Sequence, residues 1–241
     1  MTEPRLDIIG AALADPSRSR ILCELMDGRA FTNKELACAA NISPQTATVH
    51  LRQLNQAGLT TSLKSGRHIY HRIAGEEVAR VLEGLASLSP TDHVTRAARS
   101  SKARTGQGGQ DVLLARCCYN HIAGRLGVLL LQGLTAKGVV LVSGDSAHAG
   151  PAFQDFVQAH GLEVPKPGGA QPIARLCLDW TERRHHLSGP LATALLQWAF
   201  DDGWVQRVTG TRALLITSRG YDSLQALFGI TQDALRSGAT D

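Results

Sequence analysis

The sequence predicts an α+β chain, mainly α with small β-hairpins. An N-terminal winged helix-turn-helix is followed by a second α+β domain built from an internal repeat. Three observations carry this. Residues 32–58 hold two capped helical patterns in close succession, with a glycine-turned hairpin pattern behind them over 59–73. A polar, glycine-rich stretch interrupts the apolar periodicity at 89–111. The segment 121–140 then recurs without a gap at 186–205.

In chain order, residues 8–14 and 17–26 read as helices broken at Asp15-Pro16, since proline disfavours helical backbone in the residue before it. Thr32 and Glu35 have capping-box spacing, so a short helix starts there. Ser43 suits an N-cap, Pro44 the first helical turn, where a missing N–H costs nothing, and Gly58 a left-handed stop. Between them Ala47, Leu51 and Leu54 share one face at helical spacing. Residues 59–63 and 68–73 read as strands joined by Lys64-Ser-Gly-Arg67, with Gly66 free to take positive φ. Residues 76–88 read as a helix with Val78, Val81, Leu82 and Leu85 on its apolar face. The domains expected are 1–88, a basic flexible linker over 89–111 carrying Arg96, Arg99, Lys102 and Arg104, and 112–241.

The helix over 44–57 has the chemistry of a groove reader. Its polar positions are Gln45, Thr46, Thr48, His50, Arg52 and Gln53, hydrogen-bonding side chains with no acid among them to repel phosphate. Lys64, Arg67 and His68 put cations at the hairpin tip, within reach of a phosphate backbone. The net charge of +4 permits a polyanionic partner without requiring one. No run of about eighteen apolar residues reads as a membrane span, and no signal peptide is read at the N-terminus. Five unevenly placed cysteines fit free thiols in a reducing cytoplasm rather than a disulfide framework.

Residues 8–73 resemble the winged helix of the ArsR-type bacterial repressors. The matching phrases are Leu13-Ala-Asp-Pro-Ser-Arg-Ser-Arg-Ile-Leu22, Glu35-Leu-Ala37, the helix start from Ser43 to His50, Leu54-Asn-Gln-Ala-Gly-Leu59 and Gly66-Arg-His-Ile-Tyr70. The resemblance implies a homodimer that binds a near-palindromic operator on double-stranded DNA and releases it on sensing a small effector. Its first and last winged-domain helices would form the dimer interface. The family's Cys-x-Cys arsenic phrase is absent, Cys38 standing alone near that place, so any inducer site is expected in the C-terminal half. That half resembles an extension found in a subset of ArsR-like regulators, through Cys118-Tyr-Asn-His-Ile-Ala-Gly124 and Cys177-Leu-Asp-Trp-Thr-Glu-Arg-Arg184.

The repeat aligns His121 with His186 and predicts a pseudo-twofold α+β domain, each copy running helix, strand or hairpin, helix. Soft ligands gather near its two starts: Cys117, Cys118 and His121 on one predicted helix start, and Cys177, His185 and His186 ahead of the matching helix. Thiolate and imidazole together suit a transition metal such as zinc or copper(I), arsenic(III) or haem iron, as in a metal, haem or thiol-redox sensor. Adjacent cysteines on a helix diverge by about 100°, so only one of Cys117 and Cys118 is expected to face such a site. The other reading is structural, with histidines bonding helix starts and cysteines packing as small apolar groups. Trp180, Trp198 and Trp204 fit either a pocket wall or core. Arg183-Arg184 beside His185-His186 fits either an anionic effector or a solvated turn. Ser143-Gly-Asp-Ser146 resembles an esterase nucleophile phrase, but its surroundings do not fit, and no enzymatic activity is read. An architectural DNA-binding protein independent of metal, haem or thiol redox, and a DNA-binding domain fused to an uncharacterised enzyme, are the alternatives.

Overall fold

The computed structural model describes residues 4–88, 110–165, 172–209 and 211–237. They fall into two compact units, Met1–Val81 and Leu82–Asp241.

The first unit is a winged helix-turn-helix. Helices α1 (Leu6–Leu13) and α2 (Pro16–Leu25) are separated at Asp15, whose carboxylate accepts the Ser17 and Arg18 N–H groups and so caps α2. Strand β1 (Phe31–Thr32) leads into α3 (Asn33–Ala40) through a complete capping box between Thr32 and Glu35. Asn41, left-handed at φ 56°, ends α3. Helix α4 (Pro44–Gln56) follows, its Ser43 oxygen accepting the Thr46 N–H at 3.1 Å. Strands β2 (Thr60–Ser65) and β3 (His68–Ile73) pair directly up to Ser65 and His68. Gly66, at positive φ, and Arg67 alone therefore turn the wing, and Lys64 belongs to the ladder. Helix α5 (Glu76–Ser87) begins in this unit and ends in the next. Ile21, Leu25, Leu36, Leu54 and Ile73 form the interior. The basic linker expected over 89–111 lies outside the described residues except at its end, where Gln110 already begins a helix.

The second unit holds α6 (Gln110–Leu114) and then two copies of one motif. The first copy is β4 (Arg116–Cys118), β5 (His121–Ala123), α7 (Arg125–Ala136), β6 (Val140–Ser143), β7 (Ser146–Ala149) and α8 (Phe153–Ala159). The second copy is β8 (Ala174–Leu178), β9 (His185–Ser188), α9 (Pro190–Asp201), β10 (Val205–Arg207), β11 (Leu214–Ile216) and α10 (Ser218–Phe228), with a short α11 (Gln232–Arg236) behind it.

The copies are interlaced. The second hairpin of copy one pairs with the first hairpin of copy two, giving the sheet order β6-β7-β8-β9. A converse contact joins β4 to the residues leading into β11, through an isolated Arg116–Ala213 bridge and a Cys117 N–H donated to the Arg212 carbonyl at 2.9 Å. The long helices cross over too: α7 packs on β9 and α9 on β5. At their junction a gap of about 10 Å³ is lined by Ile122, Gly127 and Leu130 and by Leu187, Ala192 and Leu195. Each residue of the first trio has its counterpart in the second at the offset of 65 that separates His121 from His186, so this gap marks the pseudo-twofold axis.

One expectation is corrected here. Cys117, Cys118 and His121 stand on a hairpin, not on a helix start; α7 begins only at Arg125. The hairpin strands are buried on both faces, so they lack the alternation that marks a half-exposed strand and merge with the apolar helix behind them. Gly124 makes the break, at φ 77°, where a Cβ would stand 2.7 Å from the Leu113 carbonyl oxygen. Gly124→Ala is expected to cost about 1–3 kcal/mol for the backbone alone and more from the clash, read as a lowered calorimetric midpoint of the second unit. An unchanged midpoint would place the strain elsewhere.

Candidate nucleic-acid interface and cysteine–histidine centre

In α4 the apolar stripe Ala47, Leu51 and Leu54 is buried, and Gln45, Thr46, Thr48, Arg52 and Gln53 are exposed. Their freedom differs. The Thr46 hydroxyl lies 2.9 Å from Ser43 Oγ, and Thr48 Oγ1 donates to the Pro44 carbonyl at 3.0 Å and bonds Asn33 of α3 at 2.7 Å. Gln53 and His50 face a half-buried fork, the Arg18 guanidinium. Arg18 donates to Gln53 Oε1 at 2.7 Å and to the Ala11 and Ala12 carbonyls at the end of α1, and lies 3.3 Å from His50 Nδ1. The His50 side chain is only 13% exposed, with Nε2 3.9 Å from Asp15. Arg18 thus fastens α1 to α4, and His50 supports the helix from below.

Val49 was not among the residues the polar pattern picks out, yet it is 52% exposed. It lies between Gln45 and Arg52 at spacings of four and three, so Gln45, Val49 and Arg52 form the open stripe. In the wing, Lys64, Arg67 and His68 are all exposed. The Thr32 N–H and hydroxyl hold the Glu35 carboxylate below its ordinary range. The capping box therefore contributes stability above the unfolded value of about 4.3 and loses it as the pH falls through the lower folded value. Glu35→Gln should lower the melting temperature at neutral pH, with the gap to wild type closing in acid. A gap that stays constant across that range would remove the carboxylate from the cap.

In the second unit the sequence-selected ligands separate into two groups. Cys118 stands opposite His121 in the β4–β5 ladder, and Cys177 opposite His186 in the β8–β9 ladder. One ligand atom from each of these four buried residues lies within 4.8 Å of the other three. Cys117, adjacent to Cys118 on a strand, points the other way into the core, where the Arg207 guanidinium reaches its Sγ at 3.4 Å. His185 is exposed, with Arg183 and Arg184, on the outside of the same hairpin.

The pair at the centre is His121 and His186, Nε2 to Nε2 at 3.1 Å. The outer nitrogens face acceptors: His121 Nδ1 lies 3.2 Å from Asn120 Oδ1, and His186 Nδ1 lies 3.4 Å from Asp179 Oδ2, out of hydrogen-bond alignment. Asp179 accepts the Gly124 N–H at 2.7 Å, two bonds from Arg116 at 2.9 Å, and the Thr181 and Glu182 N–H groups. Burial works against its charge, but Arg116 and then His186 outweigh that and hold the carboxyl far below its usual range. Arg116, fully buried, stacks on Trp180 at 4.7 Å and also reaches Glu83 of α5 at 3.4 Å; Arg212 meets Glu83 as well. Buried Arg116 and partly exposed Arg212 thus face two buried carboxylates. A hydrogen bond with Cys177, then burial, pushes the Cys118 thiol well above its ordinary value.

Trp198 and Trp204 pack together at 4.2 Å among Phe156 and Phe228, while Trp180 sits under Arg116, so the three do not wall one pocket. Ser143–Ser146 is the tight turn of the β6–β7 hairpin.

A capped helix of hydrogen-bonding side chains, backed by a cation-tipped wing, defines a DNA-binding protein of the winged helix-turn-helix class. Residues 15–62 match the family described as bacterial regulatory protein, arsR family. YdfF of Bacillus subtilis (strain 168), an uncharacterized HTH-type transcriptional regulator, is 39% identical over 220 residues, which is 90% of this chain and 94% of that protein. The chain belongs to the arsR family of HTH-type transcriptional regulators. The HTH-type transcriptional regulator CmtR of Mycobacterium bovis is 34% identical over 88 residues, 36% of this chain and 74% of that protein. The homodimeric winged helix-turn-helix DNA-binding domain of Mb0332 from Mycobacterium bovis, solved by NMR, is 31% identical over 38% of this chain and 82% of that chain, at a TM-score of 0.33. No helix among the described residues is long and apolar enough to cross a membrane.

Proposed function

We propose that this regulator is a cytoplasmic homodimeric repressor that leaves its operator when an effector, a transition-metal ion, is taken up at the cysteine–histidine centre of its second unit. The observation that carries this is the convergence of two Cys–His pairs, one from each repeat, on a single buried point. Four ligand atoms this close suit one ion. Haem would need its two axial ligands on opposite faces of a porphyrin, for which the packed surroundings leave no space. The dimer is supported by Leu6 and Ile8 on α1 and Val81 and Leu85 on α5, large apolar side chains left exposed.

On DNA, Gln45, Val49 and Arg52 present the open stripe of α4 to the major groove. Val49 suits a thymine methyl, Gln45 an adenine edge or a phosphate, and Arg52 a phosphate. Thr46 and Thr48 first hold the helix start, and His50 and Gln53 hold its floor through Asp15 and Arg18. Lys64, Arg67 and His68 follow the backbone from the wing. A dimer of such units reads half-sites about one helical turn apart. The second unit speaks to the first by population shift: ordering β5 and β9 around an effector changes the network Asp179–Arg116–Glu83, whose last member stands on α5.

Selection from random duplexes should yield a near-palindrome bound at least about a thousandfold more tightly than unrelated DNA. Coating of all sequences alike would favour the architectural reading. Arg67→Ala should weaken binding to every sequence and lower the salt slope by about one. Val49→Ala should instead relax preference at one base position by about 1 kcal/mol at unchanged slope. Equal losses on all sequences from both variants would take α4 out of the groove.

A further inference from the structure

We infer that the second unit holds one divalent ion of the zinc and cadmium class in a closed tetrahedral site, bound by Cys118 Sγ, Cys177 Sγ, His121 Nε2 and His186 Nε2. This rests on the reading of the Cys–His cluster as the place where the effector is received, and it names the ion and its geometry.

The imidazoles set the first constraint. Each outer nitrogen faces an oxygen acceptor, Asn120 Oδ1 for His121 and the charged Asp179 for His186. With a proton on each Nδ1, facing those acceptors, both Nε2 atoms, 3.1 Å apart, would offer their lone pairs to one ion. The alternative tautomer of His186 would aim a lone pair at a carboxylate. With no ion between them, one ring can keep a proton on Nε2 and donate it across the 3.1 Å gap; an ion displaces that proton and takes both lone pairs. Carboxylate and amide acceptors behind the ligating rings are the usual second tier of a histidine metal site. His186 Nδ1 is buried and makes no aligned hydrogen bond, so the ring has a small rotation left to make, one that an ion on Nε2 would fix.

Distance sets the second constraint. Zinc–nitrogen bonds of about 2.0–2.1 Å at the tetrahedral angle place two nitrogens roughly 3.3 Å apart, close to the observed spacing. The four donors, within 4.8 Å of one another, would have to close in by up to about 1 Å to reach the roughly 3.3–3.8 Å separations of such a site.

Charge and softness set the third. Arg116 and Arg212 already balance Asp179 and Glu83, so the ligands must neutralise their own ion. Two thiolates do this for a divalent cation. Copper(I) would leave a buried negative charge, and arsenic(III) takes three thiolates where the cluster offers two. Two sulfurs with two imidazoles disfavour magnesium, calcium and manganese. All four ligands are buried and come from protein, which leaves no open coordination position and marks a holding site rather than a catalytic one. Because two ligands come from each repeat, the ion fastens the first hairpin of copy one to that of copy two at the pseudo-twofold axis.

The test is cobalt titration of the chelator-stripped full-length protein, its folding checked by circular dichroism. The expected result is one equivalent per chain, with intense tetrahedral ligand-field bands and thiolate-to-cobalt charge transfer, both removed by one equivalent of zinc. Cys118→Ser and Cys177→Ser should each reduce the charge-transfer band and weaken binding. His185→Gln and Cys38→Ser, at exposed positions, should change neither. Asp179→Asn should weaken cobalt binding roughly 10- to 100-fold with the spectrum kept, since Asp179 positions His186 and does not touch the ion. His121→Gln gives a second route should Asp179→Asn fail to fold, and should lose the ion outright. A pale octahedral spectrum, or thiolate charge transfer that persists in the Cys118→Ser, Cys177→Ser double variant, would overturn the assignment. Tetrahedral cobalt with no change in operator affinity would keep the site and remove the sensing role. Operator release by another effector without this spectrum would do the reverse.

Discussion

The second unit depends on one buried carboxylate. Asp179, in the turn between β8 and β9, reaches across to the other copy, where it takes the N–H that follows β5 and the guanidinium on β4. Alone in such a place it would be driven to protonate. The paired bonds of Arg116 keep it ionised, and its charge stands 3.4 Å from His186 Nδ1. Removing either partner would leave an uncompensated buried charge, a loss of about 3–5 kcal/mol. The fold of the hairpin, the seam between copies and the chemistry of the histidine pair thus hang on the same group.

The interlaced repeats explain why such a centre forms at all. A hairpin that paired only within its own copy would leave its ligands isolated on a strand edge. Here each copy's hairpin is completed by the other copy and covered by the other copy's helix. Strands β5 and β9, each at the edge of its sheet, therefore meet at the pseudo-twofold axis, and whatever a hairpin carries there is presented twice. A Cys–His cross-strand pair presented twice brings four ligand atoms within 4.8 Å of one another. The DNA-binding unit shows a related economy: Arg18 binds the end of α1 and the floor of α4 with one side chain, so the orientation of the reading helix is tied to its neighbours rather than left to the loop.

Much of this was legible in the sequence. The caps at Thr32 and Ser43, the break at Asp15-Pro16 and the glycine turn of the wing are local chemistry, decided within four residues, and local patterns record them. The pairing of His121 with His186 was visible because the repeat runs ungapped from those residues onward. The matching of Cys118 with Cys177 was not. Two residues separate the strands in the first hairpin and six in the second, so the cysteines fall out of step upstream of the histidines. Register across a ladder, not distance along the chain, makes them equivalent. The strand read as a helix start failed for a related reason, since burial on both faces erases the period of two. On α4, composition groups His50 with the other polar residues and passes over Val49; the structure sets the His50 side chain against Arg18, more than thirty residues away, and leaves Val49 half exposed.

The central claim is that occupancy of the Cys118–His121–Cys177–His186 centre governs the grip of α4 and the wing on DNA. The most direct measurement is operator affinity at fixed salt, with and without saturating zinc, for the wild type and Cys177→Ser. Coupling of the size usual between two sites predicts a fall of about 5- to 150-fold for the wild type and none for the variant. Coincident curves for the two proteins, or a zinc effect of equal size in both, would contradict the account.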